Sequence, residues 1–152
     1  MPKTIPDGDH SLTPYLSLRD AAKAIEFYKT ALGATELFRL SMPGGKIAHA
    51  ELRIGDSRLK LADSMPEWGN KSAKDLCGTP VRLSLYTENV DALNERFLKA
   101  GGKQMRPPEN QFFGDRTALV EDPEGYLWLL AQHVEDVSPE EMQRRMEKEL
   151  GG

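Results

Sequence analysis

The stretch Asn110-Gln-Phe-Phe-Gly-Asp-Arg-Thr-Ala-Leu-Val-Glu-Asp-Pro-Glu-Gly-Tyr-Leu-Trp-Leu-Leu130 decides the fold. It opens as a loop carrying Phe112, Phe113, Asp115 and Arg116, so stacking surface and a fixed cationic fork stand within five residues. Apolar walls with a few polar groups are what the rim of a small-molecule pocket requires. Thr117 to Glu121 then reads as a strand, and Tyr126 to Gln132 as its return. Between them Asp122-Pro123-Glu124-Gly125 has Pro at the second turn position and Gly at the fourth, as a type I turn prefers. The unit is strand, tight turn, strand.

Working outward, the same order of elements occurs earlier in the chain. Leu12 to Leu18 alternates as a strand, with Pro14 demanding an edge or a strand start because it has no amide to donate. Asp20 caps a predicted helix bearing Ala21, Ala24, Ile25 and Tyr28, and Gly33 stops it. Strands follow over 37–42, 46–54 and 58–62, with turns at Pro43-Gly44-Gly45 and Gly55-Asp56-Ser57. Val81 to Thr87 is again a strand, Asn89 caps a helix with Val90, Leu93, Phe97 and Ala100, and Gly101-Gly102 ends it. A short strand at 103–106 leads through Pro107-Pro108 to the opening stretch. A shift of 69–70 positions lays Leu16 on Leu85, Asp20 on Asn89, Tyr28 on Phe97, Gly33 on Gly102 and Gly55 on Gly125. A repeat of this length means two copies of one supersecondary unit burying a face together.

The remainder falls outside the repeat. Residues 1–11 read as a loose lead-in, the first unit as 12–64, a linker loop over 65–80 with Trp68 as its anchor, the second unit as 81–137, and a C-terminal helix as 138–152. Ser138-Pro139-Glu140-Glu141 has the form of a capping box, and the charges that follow suggest a solvated or partner-facing helix. The net charge of −4 argues against a nucleic-acid or anionic-membrane binder. No apolar run is long enough to cross a bilayer and the N-terminus lacks a signal-peptide core, so a cytoplasmic location is expected. One cysteine, Cys77, excludes an internal disulfide and a multi-cysteine zinc site, and no base stands beside it to make it a nucleophile.

The βαβββ–βαβββ order, with Thr13-Pro14-Tyr15-Leu16, Ile25-Glu26-Phe27-Tyr28, His49-Ala50-Glu51-Leu52, Phe112-Phe113-Gly114-Asp115-Arg116 and Asp122-Pro123-Glu124-Gly125-Tyr126, resembles the vicinal oxygen chelate superfamily. That superfamily includes glyoxalase I, bleomycin-resistance proteins and extradiol dioxygenases. More narrowly the chain looks like the glyoxalase-like proteins of the PhnB-like type, whose tail Glu135 to Glu141 also matches. The resemblance implies an α+β fold of two βαβββ modules, curved sheets around a cleft, and a homodimer. In metal-dependent members one His or Glu comes from the first and fourth strand of each module. Carried over, those positions fall at or near Thr13, Leu61, Arg82 and Leu129, none of them a divalent-metal ligand. No cofactor is therefore expected at the usual site.

The candidate residues each carry two readings. His49 and Glu51, two apart on a strand, face one side; they form an acid–base or metal-binding pair, or else a polar outer face opposite Ala48, Ala50, Leu52 and Ile54. Arg82, Ser84 and Tyr86 share a face and suit an anionic or carbonyl-bearing ligand, unless Arg82 pairs with a neighbouring carboxylate. Asp115 and Arg116 either line the pocket or pin the loop, with Phe113 beside them. His133 looks into the pocket or binds Glu135 and Asp136. The leading expectation is a small-molecule binder with Tyr15, Arg82, Tyr86, Phe113 and Arg116 as ligand contacts. Its rival is a lyase, isomerase or dioxygenase using His49 and Glu51, with or without a relocated divalent metal.

Overall fold

The computed structural model describes residues 1–151; Gly152, which the predicted C-terminal helix included, lies outside them. Two four-stranded mixed sheets and three helices give the α+β fold. The chain divides into two compact units, Met1–Pro80 with Pro123–Tyr126, and Val81–Asp122 with Leu127–Gly152.

The first unit holds β1 (Tyr15–Leu18), α1 (Ala21–Leu32), β2 (Thr35–Ser41), β3 (Ile47–Ile54) and β4 (Ser57–Asp63), in the sheet order β1-β4-β3-β2. β1 starts three residues later than the alternation suggested: Pro14 contributes only its carbonyl, which accepts from Lys60 N at 3.0 Å, and Leu12 is exposed. The Asp20 side chain accepts from Lys23 N and so caps α1, while Gly33 takes the left-handed conformation (φ 66°) that ends it. α1 covers one side of the sheet, burying Ile25 and Tyr28 along with Leu16, Leu18, Leu52 and Leu61. Because strand side chains alternate, the residues between these point to the other side, the open face of the sheet.

The predicted linker over 65–80 is more built than expected. Trp68, expected as its anchor, is 75% exposed on a 3₁₀ turn at Pro66–Trp68. The anchoring falls instead to buried Met65, Ser72 and Ala73, to Asp75, which accepts from Ser72 N, and to Asn70, which accepts from Ser17 Oγ. Met65 does this work together with small and polar side chains, so the one large aromatic was the wrong signal. In the same unit Glu124, buried, accepts from Arg19 N at 2.7 Å and Asp20 N at 3.0 Å, and Tyr126 Oη donates to Ser17 O.

The second unit repeats the plan: β5 (Arg82–Tyr86), α2 (Val90–Lys99), β6 (Lys103–Asn110), β7 (Asp115–Glu121) and β8 (Leu127–His133), ordered β5-β8-β7-β6. β6 was expected to stop at Arg106 but runs on through both prolines. It is an edge strand, and Pro107-Pro108 lie in an irregularity between the Arg106–Leu119 and Glu109–Thr117 pairs, where no amide is needed. Leu16 pairs with Leu61 and Leu85 with Leu130, both parallel, so a shift of 69 maps one sheet onto the other. The same shift relates Asp63, which accepts from Ala21 N, to Gln132, which accepts from Val90 N. Each module thus tethers its helix start to the end of its fourth strand.

Last comes α3 (Pro139–Gly151). Ser138 Oγ accepts from Glu141 N, but the Glu141 carboxylate binds Arg144 and Arg145 rather than closing the capping box. Arg145 also donates to Glu135 and to the Phe112 carbonyl, at 3.0 Å each, so one face of this charged helix is held against its own unit.

Candidate functional site

On the open face of the first sheet, register sets the neighbours. Glu51 lies opposite Lys60 on β4 and Phe38 on β2, His49 opposite Leu40, and Tyr15 opposite Lys60. The Tyr15 hydroxyl stands 2.6 Å from His49 Nδ1, and His49 Nε2 stands 2.9 Å from Glu51 Oε2. Arg58 Nη1 donates to the other carboxylate oxygen at 3.3 Å. The His49 ring also lies against both aromatics, with centroids 5.4 Å from Tyr15 and 5.6 Å from Phe38. Three of the sequence-predicted residues, Tyr15, His49 and Glu51, therefore form one connected chain of polar groups.

The electrostatics fix the direction of the hydrogens. Glu51 is held below the ordinary glutamate range, first by the His49 hydrogen bond and then by the Lys60 and Arg58 cations against the cost of burial. An ionised carboxylate only accepts, so His49 Nε2 carries a hydrogen, and in that tautomer Nδ1 accepts a hydrogen bond from the Tyr15 hydroxyl. Burial, and the Glu51 charge behind it, push the Tyr15 phenol up. The expectation of a polar outer face fails for Glu51, which is 8% exposed, and Ala48 of the supposed apolar face is exposed. Tyr15, Phe38 and Leu40 are open to solvent at 51%, 44% and 57%.

The second sheet has its own cluster on its open face. Buried Asp115 accepts from the Tyr86 hydroxyl at 2.6 Å and lies 2.8 Å from His133 Nδ1, whose Nε2 lies 2.7 Å from Asp136. Those two carboxylates, Asp136 first, push His133 upward, and Asp115 pushes Tyr86 upward. Both expected partners of His133 were carboxylates of the tail; the structure supplies Asp136 but replaces Glu135 with Asp115. A wide depression of about 480 Å³ beside it is lined by Tyr86, Thr87, Glu88, Gln132 and His133.

The remaining candidates separate. Arg82 is exposed on the Tyr86 face and makes no ion pair among the described residues. Arg116 lies on the opposite side, toward α2, with its fork filled by Asp91 at 2.8 and 2.9 Å and Asn110 at 3.2 Å. It pins the loop, while its neighbour Asp115 turns to the open face, as alternation requires. Phe113 is half-buried and packs edge-on against Phe112 at 5.4 Å. Cys77 is exposed.

The positions that the family resemblance marks for a metal need one correction. Leu61 pairs with Leu16 and is fully buried on the α1 side, so the open-face residue in the fourth strand is Lys60, which the shift of 69 maps onto Leu129. Thr13, Lys60, Arg82 and Leu129 offer a hydroxyl, two cations and a hydrocarbon, which do not fit a divalent metal. Among the described residues no three of His, Cys, Asp and Glu are grouped to hold one. His133 meets its two carboxylates through opposite ring nitrogens, so those three groups do not converge.

Phe38 and Arg58 were missed in the sequence, and Lys60 was weighed there only as a one-residue register alternative to Leu61 at the metal position. The signal for two of them was the hairpin: Ile54 pairs with Ser57 across Gly55-Asp56, with Gly55 at φ 59°, and a two-residue loop of that kind fixes Glu51 opposite Lys60.

Comparison with known proteins adds the following. A family model described as Glyoxalase/Bleomycin resistance protein/Dioxygenase superfamily matches residues 10–130. An uncharacterized protein of Mycobacterium bovis is 41% identical over 145 residues, covering 93% of this chain and 95% of that one. Among solved structures, TioX from Micromonospora sp. ML1 superposes with a TM-score of 0.67 at 24% identity, covering 82% of this chain and 99% of that one. A glyoxalase-related enzyme from Fulvimarina pelagi gives 0.63 at 20% identity, covering 81% and 87%. At these identities the last two establish the fold.

Proposed function

Because the chain belongs to the Glyoxalase/Bleomycin resistance protein/Dioxygenase superfamily, we propose that it binds a small organic ligand on the open face of the first sheet without a metal ion. The observation that carries the reading is the Tyr15–His49–Glu51 chain set in an exposed aromatic and aliphatic patch with Phe38 and Leu40. Apolar surface with few, oriented polar groups is how small-molecule sites combine affinity with specificity. The Tyr15 ring and Phe38 offer stacking surface, and the Tyr15 oxygen offers a polar handle whose hydrogen is directed by His49. Side chains at the four family positions support the metal-free part of the reading. Arg82 and Tyr86 are a separate set on the second sheet; Arg116 drops out because Asp91 occupies its fork.

The test combines two measurements. Elemental analysis after dialysis against trace Ni²⁺, Zn²⁺, Mn²⁺ and Fe²⁺ should find well below one metal per chain. Ligand-observed NMR with a panel of aromatic carboxylates, phenols and amines should then give hits that Tyr15→Ala and Phe38→Ala remove and Tyr86→Ala leaves. One tightly held metal per chain, or hits lost only in Tyr86→Ala, would sink the assignment.

A second reading rests on the same geometry. A proton from a bound donor can be relayed to His49 Nδ1 through the Tyr15 hydroxyl 2.6 Å away: the phenol oxygen takes it as its own hydrogen passes to the imidazole, so no phenolate forms, and Glu51 stabilises the imidazolium. On that reading His49→Ala and Glu51→Gln abolish turnover with the fold intact, whereas a binder keeps its affinity for apolar ligands in Glu51→Gln. We further propose that the protein is a homodimer, which light scattering of the purified chain checks directly.

A further inference from the structure

Residues 1–11 were expected to be a loose lead-in, yet part of that segment lies against the candidate site. Arg58 Nη2 donates to the Asp7 carbonyl at 3.1 Å, and Arg58 Nε is 3.9 Å from Asp9 Oδ1. Gly8, at φ 85°, passes so close to the guanidinium that a Cβ there would stand 2.4 Å from Nη2. Only glycine takes that backbone conformation without strain and leaves room for the planar cation. Asp9 Oδ1 is buried without a hydrogen-bond partner, so the Arg58 charge is what compensates it. The remaining amino group of the fork, Nη1, is thereby aimed at Glu51 Oε1.

We propose that Asp7–Asp9 form a strap that positions Arg58, and that Arg58 through Glu51 sets which nitrogen of His49 carries the hydrogen and hence which way the Tyr15 hydroxyl points. Arg58 is a positioning residue on this account: it touches no ligand. The inference rests on the reading of Tyr15 and His49 as the ligand-facing groups, and it adds a dependence on a segment whose Asp7 lies 51 residues from Arg58 in sequence. Freed from the strap, a guanidinium on a flexible stem has water and several rotamers to choose from. Glu51 would then lose one of its two fixed donors. With the carboxylate free to rotate and Oε2 no longer aimed at Nε2, the His49 ring exchanges tautomers, and the Tyr15 hydroxyl turns from donor toward Nδ1 to acceptor from it. The charged and titratable groups facing Glu51 are His49 and Arg53 on its own strand, Arg58 and Lys60 on β4, and Tyr15 on β1, with Asp7 and Asp9 behind Arg58.

The experiment is NMR of the full chain without ligand, so its outcome is independent of whether any ligand is found. Nitrogen shifts of the His49 ring report the tautomer, and the carboxyl carbon of Glu51 reports its titration. In the unaltered protein the Nε2–H tautomer dominates, and Glu51 titrates below the ordinary glutamate range. Arg58→Gln is expected to lower the tautomer ratio by about threefold or more, the loss of one hydrogen bond to a charged group, and to move the Glu51 midpoint upward. Gly8→Ala, which displaces the guanidinium while leaving Arg58 in place, should shift both in the same direction, and Arg58→Lys should restore the Glu51 midpoint but not the ratio in full. A folded Arg58→Gln protein with both signals unchanged overturns the proposal. If Arg58→Gln does not fold, Gly8→Ala decides it, because unchanged signals there remove the strap from the site.

Discussion

Replacing Asp63 with alanine tests the device that ties helix, strand and site together in the first unit. Its two carboxylate oxygens accept from Ala21 N at 2.8 Å and Ile47 N at 2.6 Å, the first residue of α1 and the first of β3. Both bonds are buried, and Asp63 itself is 7% exposed. Leaving a buried donor unsatisfied costs about 1–3 kcal/mol, so two donors bound the loss at roughly 2–6 kcal/mol. α1 can fray by a residue and let water reach Ala21 N, which discounts one of the two and leaves about 2–4 kcal/mol as the expectation. For a chain of this length that lowers Tm by roughly 4–15 °C. Asp63→Asn keeps one acceptor but turns an amino group toward the other donor, so it should lose about half as much. Urea titration followed by circular dichroism measures the loss, and hydrogen exchange at Ala21 and Ile47 locates it. An Asp63→Ala protein within 0.5 kcal/mol of the parent, with both amides still protected, would refute the reasoning. The counterpart Gln132→Ala frees only Val90 N and should cost about 1 kcal/mol.

Three further outcomes follow from single contacts. Gly102→Ala would set a Cβ 2.3 Å from the fully buried Phe97 ring and 3.0 Å from its carbonyl, so thermal melts should show about 1–3 kcal/mol of overpacking. Glu51 has a depressed folded value, so its contribution is present above the unfolded glutamate range and is lost as the pH falls through that value; acid titration of Glu51→Gln should show a shallower loss of stability below about pH 4.3. His133 is raised, so its contribution is complete below about pH 6.5 and disappears as the pH rises through its folded value. His133→Gln should therefore flatten the stability profile across the neutral to mildly alkaline range, and an unchanged profile would mean the Asp115 and Asp136 contacts are not kept in solution.

What was legible in the sequence was local. Asp20 and Asn89 cap their helices through Lys23 N and Ala92 N, and Gly33 stops α1, because a cap or a left-handed residue needs only its near neighbours. The two-module order was legible for the same reason, since each module repeats those markers at one spacing. The 65–80 segment was read less well: Ser72 and Asp75 bond each other locally, but the burial of Ser72 and Ala73 and the Arg19–Asp75 bond come from parts of the chain that no local pattern indicates. The candidate site lies between these cases. His49 and Glu51 announced themselves by period, but Tyr15 reaches them only because β1 pairs in parallel with β4, and Arg58 only because the Gly55-Asp56 hairpin returns it.

Register is where a sequence reading of such a fold succeeds or fails. A slip of one residue transfers a side chain to the other face of its sheet. Turn glycines are poor markers for it: Gly55 and Gly125 are 70 apart, while the paired strands are related by 69, because the two hairpin loops differ in length. The helices carry the right shift, since Tyr28 and Phe97 are both fully buried at a spacing of 69. Applying that shift to Leu129 returns Lys60, whose side chain faces Tyr15 and Glu51, and not Leu61, which packs under α1. The difference is chemical as well as geometric. A leucine there says only that a metal ligand is missing, whereas a lysine places a cation beside the Glu51 carboxylate, at the position that the family resemblance marks for a metal ligand. Lys60→Met removes that cation while keeping its length, so it should raise the Glu51 titration midpoint without the change in His49 tautomer expected for Arg58→Gln. If both variants moved both signals alike, general electrostatics rather than the directed Arg58 hydrogen bond would govern the site.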